Sequence, residues 1–462
     1  MSGPVLDGMI PPLGAGAPLS VPHPLASAAL ALPERVAIEA DDGLRSFEQL
    51  RAVVAEKAGW LLERGAKPGR VVALVGEPSL AWAEAFFAIT WTGAIAAPID
   101  PRAPRAAQDE AIARLEPAVV VAPEELERRG AVPERFWPLE ETRLILSTSG
   151  SSGAPTLVRL TTAQLIFSAF GSALRLGHHR DDRWLLCLPL HHVGGLSILI
   201  RAALGATPVT LHGRFSARRA ALALDSGAIT LVSLVPAMLS SILEARPAAP
   251  FSPRLRAILL GGDRAPVELV ERARAIRAPL ALTWGMTETA SQIATSLDPA
   301  GFEGTLAGPP LAFARVSADA EGGLVVRGPI APGGRLATRD RGLVRADGQV
   351  EVHGRRDLVF ITGGENVDPA AVERALKTHA SVEDALVLAL SDPRLGTVPA
   401  ALLVARGGER PTAEELATDL APLIPRHERP RRIAWVDAIP RSATGKISRD
   451  AARRLFLEEE RS

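Results

Sequence analysis

The chain has 462 residues, too many for one core, so two or three domains are expected. Its 47% hydrophobic and 23% charged residues place it among globular rather than disordered proteins. The 52 basic residues balance 52 acidic ones, and no basic stripe appears, which disfavours a nucleic-acid partner.

In chain order, the N-terminal "MSGPVLDGMIPPLGAGAPLS" has no basic region before an apolar segment, so it does not read as a secretory signal. "RVVALVG" (70–76) reads as a strand, and a buried helix follows over 81–92, with "GAIAAPID" as the next strand. The segment 81–100 is the best membrane candidate. It contains Glu84, and its helix should end near Gly93, too short to span a bilayer, so no stable membrane insertion is expected. The stretch "LILSTSGSSGAPTLVRLT" (144–161) puts seven small residues between two apolar runs. "WLLCLPL" (184–190), "ITLVSLVP" (229–236) and "LRAILLGG" (255–262) have the length and Pro/Gly punctuation of buried strands, with a helix over 266–277 after them. The alternation predicts an α/β fold with largely parallel sheets.

Past residue 320 the pattern becomes short antiparallel strands joined by Gly/Asp turns. A smaller α/β unit then reads as helix 369–378, strands 384–390 and 400–405, helix 412–422 and strand 431–437. "HGRRDL" (353–358) marks the expected boundary, giving domains 1–354 and 355–462. Cys187 is the only cysteine, which excludes an internal disulfide and a Cys-based zinc site and fits a reducing cytoplasm.

Five stretches can carry chemistry. Thr148, Ser149, Gly150, Ser151, Ser152 and Gly153 offer hydroxyls and unshielded backbone N–H groups, as a polyphosphate cradle needs, although a Ser/Gly hinge has the same composition. No GK[ST] follows, so this is not a Walker A loop. "LTWGMTETASQIAT" (282–295) sets Trp284 beside Gly285, with Thr287 and Glu288 as oxygen ligands for a hard cation such as Mg2+; a helix start with an acidic first turn is the weaker alternative. "CLPLHHVGGLSILIRAALGA" (187–206) ends an expected strand at His191 and His192, which would then face opposite sides. Cys187 as a nucleophile is the weaker alternative to Cys187 as packing. In "TRDRG" (338–342) and "GRRD" (354–357), Asp340 could accept ribose hydroxyls, or simply pair with Arg355. "IPRSATGKISRD" (439–450) carries Lys446, one of four lysines among 52 basic residues, and a lysine reaches a phosphate as a compact charge.

Together "STSGSSGAP", "WGMTE", "TRD", "GRRD" and "GK" resemble the acyl-adenylate-forming (AMP-binding) superfamily over about residues 25–455. Within it, "LPLHHVGGLSILIR" and "WGMTETASQIAT" look like the 2-succinylbenzoate–CoA ligases of menaquinone biosynthesis. The resemblance implies a large N-terminal domain of α/β subdomains, a small mobile C-terminal α+β domain, and ATP, Mg2+ and CoA as reaction partners. By position it implies that the 148–153 loop cradles phosphates and that Trp284 stacks on adenine, with Gly262 and Gly285 beside the nucleotide. Thr287 and Glu288 would meet the α-phosphate and Mg2+, Asp340 and Arg355 the ribose, and Lys446 the carboxylate and α-phosphate. His192, Arg201 and Gly285 would line the acyl pocket, Arg201 serving a second carboxylate. Gly363 and Gly364 would border the pantetheine channel, and Asp357 matches the interdomain hinge. A homodimer is compatible with this family.

Two departures stand out. Thr156 follows Gly153-Ala154-Pro155 where the family usually has Lys, and the chain contains no tyrosine, so Trp284 replaces the usual adenine partner. Arg201 would be an awkward charge in an apolar helix unless a carboxylate meets it, from the substrate or from a protein acid such as Asp225, or unless it snorkels to the surface. The same chemistry on another acid, or a non-catalytic nucleotide or carrier-protein binder, remain alternative readings.

Overall fold

The computed structural model describes residues 18–148, 156–297, 302–362, 365–392, 396–441 and 447–460. Two wound sheets form the bulk of it. The first runs Val119–Val121, Val71–Val75, Ile95–Ile99, Thr142–Thr148, Thr156–Thr161; its first three pairings are parallel and its last antiparallel. The Val/Ile/Ala runs match strands covered on both faces.

The helix Leu80–Trp91 is apolar all round and buried along almost its whole length, as its sequence predicts. Ser79 caps it by accepting from the Trp82 N–H, and it stops before Gly93, whose φ is +82°. Glu84 lies inside because Lys57 (2.8 Å) and Arg45 (3.1 Å) flank its carboxylate. One of the four lysines is thereby accounted for by a buried ion pair. Among the described residues no helix is long and apolar enough to cross a membrane.

The second sheet has eight strands, in the order Ser291–Ser296, Leu280–Met286, Ala257–Leu260, Leu231–Leu234, Trp184–Leu186, Val209–Leu211, Val36–Ala40, Gly43–Ser46, antiparallel only at its two edges. The expected strand 184–190 stops at Leu186, where its partner strand ends opposite Leu211. Pro189 lacks the N–H that a continuing strand would need. His191 and His192 therefore lie in a turn, not on opposite faces of a strand, and His192 becomes the N-cap residue of the helix Val193–Gly205.

A five-stranded antiparallel sheet follows: Leu306–Gly308, Val350–Arg355, Arg335–Val344, Gly323–Arg327, Arg315–Ala318. Beyond it come helices Pro369–Lys377, Ala413–Asp419 and Arg449–Glu459 around strands Val382–Asp392, Gly396–Ala405 and Arg432–Val436. This last part packs its own apolar cores, one around Val372, Val387 and Leu403 and one around Leu388, Leu402 and Phe456.

Candidate active site

Three segments meet at the residues singled out above. They are the hairpin Leu280–Met286/Ser291–Ser296 with its turn Thr287–Thr289, the strand pair Arg335–Val344/Val350–Arg355, and the helix Thr162–Leu176. Asp340 lies opposite Arg355 in the strand register. The Trp284 indole N–H donates to Asp340 Oδ2 at 2.8 Å, and Trp284 is itself 9% exposed, packed in an apolar cluster with Ile293 and Val326. Burial pushes the Asp340 carboxyl above the usual carboxylate range. The Trp284 hydrogen bond and the Arg355 charge oppose that rise, and the Asp357 and Glu288 carboxylates add to it.

Arg355 does not pair with Asp340. Its Nε and one Nη donate to the two oxygens of Asp357 at 2.8 and 2.7 Å, a two-point grip that also raises the guanidinium's own pKa. Asp357 is 3.5 Å from Arg339 as well. Burial pushes the Asp357 carboxyl up, but Arg355 and then Arg339 outweigh it and hold it below the usual range. The geometric reason is short: Asp357 is two residues from Arg355 and beside it, in the turn Arg356–Leu358.

Glu288 is half-buried, and among the described residues its carboxylate has no basic partner within 4.0 Å. Its backbone carbonyl accepts from Gln164 Nε2 at 2.8 Å. Gln164 also donates to the Ile330 carbonyl (3.1 Å) and accepts the Thr161 N–H (3.1 Å), and Ser168 donates to the Ala290 carbonyl (3.0 Å). The helix after the strand Thr156–Thr161 thus clamps the turn that carries Glu288. Sequence reading passed over Gln164. Thr161-Thr-Ala-Gln164 as a capping box signals a helix start, but nothing local shows a reach across 124 residues.

Thr148 and Thr156 face each other at the edge of the first sheet, with Thr148 Oγ1 donating to the Thr156 carbonyl at 3.3 Å. The strand beginning at Thr156 lies against the Thr287–Thr289 turn. Ser149, Gly150, Ser151, Ser152 and Gly153, like Gly363, Gly364 and Lys446, lie outside the described residues. Near Lys446, Arg441 reaches both Asp263 (3.3 Å) and Asp384 (3.4 Å). It thereby sets the C-terminal chain beside the loop holding Gly262, whose φ of +81° favours glycine.

Gly285 has a steric reason. A Cβ there would fall 1.9 Å from the Ser291 carbonyl oxygen. Across this close approach Ala290 and Ser291 take φ of +56° and +122°, so non-glycine backbone strain is concentrated at the turn. The Ser291 hydroxyl accepts from Arg201 Nη2 at 3.1 Å.

Arg201 is buried, its Nε has no hydrogen-bond partner, and burial depresses its pKa to about 10. Asp225, the protein acid expected as its alternative partner, is 2.7 Å from Arg246 instead. The helix bearing Arg201 begins at His192, whose ring centre is 4.3 Å from that of His191, and His191 Nε2 is 3.6 Å from Asp100. Burial pushes the Cys187 thiol up to about 12, which leaves it protonated and removes the nucleophile alternative.

Among the described residues no cluster of three or more His, Cys, Asp or Glu side chains forms a cage for a metal. One free carboxylate, Glu288, suits Mg2+, which commonly takes one or two protein carboxylates together with substrate phosphates.

The AMP-binding enzyme family matches residues 25–142 and 131–346, and the AMP-binding enzyme C-terminal domain matches 371–446. A 2–succinylbenzoate–CoA ligase of Bacillus cereus (strain Q1) is 32% identical, covering 95% of this chain and 99% of the relative. The structure of o-succinylbenzoate CoA synthetase from Bacillus subtilis with the acyl-adenylate intermediate has a TM-score of 0.83 at 28% identity, over 94% of this chain and 98% of that one. The same enzyme with ATP and magnesium ion also gives 0.83 at 28% identity, over 94% and 100%. The chain belongs to the AMP-binding, acyl-adenylate-forming enzyme family.

Proposed function

We propose that the chain is an AMP-forming acid–thiol ligase that activates 2-succinylbenzoate with ATP and passes the acyl group to CoA. The observation that carries the choice of acid is Arg201: a buried guanidinium that, among the described residues, meets a serine hydroxyl and no carboxylate. A buried cation without an acid is costly unless a ligand completes it. The succinyl carboxylate would complete it, while the other carboxylate is consumed in the adenylate. The relatives named above act on, or are bound to derivatives of, this same diacid.

In the first step the substrate carboxylate attacks the α-phosphorus and pyrophosphate leaves. In the second the CoA thiolate attacks the acyl carbonyl and AMP leaves. Thr148 and the 149–153 loop supply phosphate donors, Thr287 the α-phosphate contact, and Asp340 and Arg355 the ribose contacts, with the Trp284 ring and Gly262 beside the base. Glu288 would hold Mg2+, which when bound neutralises phosphate charge. Lys446 adds a second cation at the α-phosphate during the first step only. His192 and Gly285 line the acyl pocket, and Gly363 and Gly364 border the thiol's path.

The reading divides the chain at 354/355, with Asp357 as hinge. It is supported by the separate apolar cores of the last hundred residues and by the Arg355–Asp357 grip at the junction. A cytoplasmic site of action and the lack of a nucleic-acid partner belong to the same reading, supported by the lone buried thiol and the balanced charge.

Pyrophosphate release tests it. Arg201→Leu should raise KM for 2-succinylbenzoate strongly and hardly change KM for ATP. A monocarboxylic analogue should bind more weakly than the diacid to the wild type but not to the variant. Equal responses of diacid and monoacid in both proteins would remove the diacid assignment.

A further inference from the structure

We infer that Trp284 is a positioning residue for ribose recognition: its indole N–H holds the Asp340 carboxylate in the orientation that reads the nucleotide's hydroxyls. The inference rests on Asp340 as the ribose ligand and assigns Trp284 a task beyond offering an aromatic face to adenine. Three observations carry it. The donor is 2.8 Å from Asp340 Oδ2, a short distance for an N–H···O bond. The indole is packed among Ile293, Ala307 and Val326, so its N–H is aimed by the core rather than by solvent. Finally, the Asp340 carboxylate takes no hydrogen bond from the guanidinium opposite it in the register, because Arg355 turns its Nε and one Nη onto Asp357.

The geometry divides the carboxylate's work. An ionised carboxylate has about four acceptor directions. Trp284 occupies one on Oδ2 and fixes the plane of the group. Oδ1 and the remaining direction on Oδ2 stay available for two vicinal hydroxyl donors. Without the indole N–H, the carboxylate would rotate about its Cβ–Cγ bond, a broad and weakly restrained torsion. It would then have to be ordered by the nucleotide itself. A phenyl or phenol ring in the same place keeps an aromatic face but has no N–H at that point. The charges facing Asp340 from the neighbouring segments are Arg355, Asp357 and Glu288, and none of them donates to it.

The test compares KM for ATP, 2′-deoxy-ATP and 3′-deoxy-ATP in pyrophosphate release. The wild type should favour ATP about tenfold over at least one deoxy analogue, the loss expected for a hydrogen bond to a charged group. In Trp284→Phe that preference should fall to about twofold, mainly through a rise in KM for ATP. Weakened stacking alone would raise KM for all three nucleotides together and leave the preference intact, and that result overturns the inference. Trp284→Leu likewise has no donor and should lose the preference in the same way, so it carries the test if the Phe variant does not fold. Asp340→Ala separates the two levels of the argument. If it abolishes the preference and Trp284→Phe does not, the inference fails while the ribose assignment stands. If Asp340→Ala retains the preference, the ribose assignment itself fails.

Discussion

The two ends of the site treat buried charge in opposite ways. At the end assigned to the ribose, the recognition groups have partners within the protein before any substrate arrives: Trp284 donates to Asp340, and Arg355 grips Asp357. At the end assigned to the acyl group, Arg201 meets only the Ser291 hydroxyl among the described residues, and its Nε is left without a partner among them. On the proposed assignment, the first arrangement would hold recognition groups rigid for the nucleotide. The second would leave a charge for a particular substrate to complete, so selectivity would reside where the protein is least satisfied.

The broadest way to break the comparison is to remove the cation assigned to neither end. Lys446→Ala should cut acyl-adenylate formation by about 100-fold or more, the scale of losing one group that stabilises transition-state charge. Thioesterification of supplied acyl-adenylate should survive. Equal loss in both half-reactions would remove Lys446 from the first step.

Next comes the unsatisfied end. Arg201→Leu should raise KM for the diacid by roughly 30-fold or more, because truncating one partner of a buried charge pair costs about 2–5 kcal/mol. The ligand-free variant should melt no lower than the wild type, since the change removes an uncompensated buried cation. In the wild type, diacid affinity should fall as pH climbs through about 10, where the guanidinium gives up its proton, while monoacid affinity should not. A monoacid that tracks the diacid across that range would contradict the assignment.

The satisfied end should respond less. Asp340→Ala should raise KM for ATP roughly tenfold, from the loss of a hydrogen bond to a charged group worth about 1.5–3 kcal/mol. Because burial pushes this carboxyl up, KM for ATP should already climb on acidification at pH values where ordinary carboxylates remain ionised. A flat KM down to the usual carboxylate range would show that Asp340 is not the group being read.

Smaller still is the effect expected of the clamp behind the turn. Gln164→Leu leaves the Glu288 and Ile330 carbonyls without their donor, so thermal stability should drop by about 1–3 kcal/mol. The Mg2+ concentration for half-maximal rate should rise about threefold, with KM for the acid unchanged. An unaltered Mg2+ requirement would make Gln164 a purely structural residue. At the far end of the scale, Cys187→Ala should keep kcat within about twofold and thiol alkylation at pH 8 should not inactivate, given a buried thiol pushed up to about 12.

Much of this was readable beforehand because it is local. The helix Leu80–Trp91 follows from its apolar run, its Ser79 cap and Gly93, and the strands Val71–Val75 and Leu231–Leu234 follow from short apolar runs ended by Gly or Pro. The motifs pointed to the family because their residue types suit phosphate, ribose and metal contacts and their order along the chain resembles that family's. The turn at His191 and His192 was missed. Strand length depends on where the neighbouring strand stops, and Leu211 is not visible from Leu186 in sequence.

The sequence by itself therefore determined the family and most of the order in which strands and helices follow one another. Hydrophobic period, capping and turn chemistry act over a few residues, and they need no partner to be read. Only the tertiary structure decided which charges meet. Asp340 takes its hydrogen bond from Trp284, 56 positions away, rather than pairing with Arg355 across the ladder. Arg201 meets Ser291, 90 positions away, and not Asp225. Buried polar groups choose partners by distance and desolvation after the chain has closed on itself, and both quantities are set by packing.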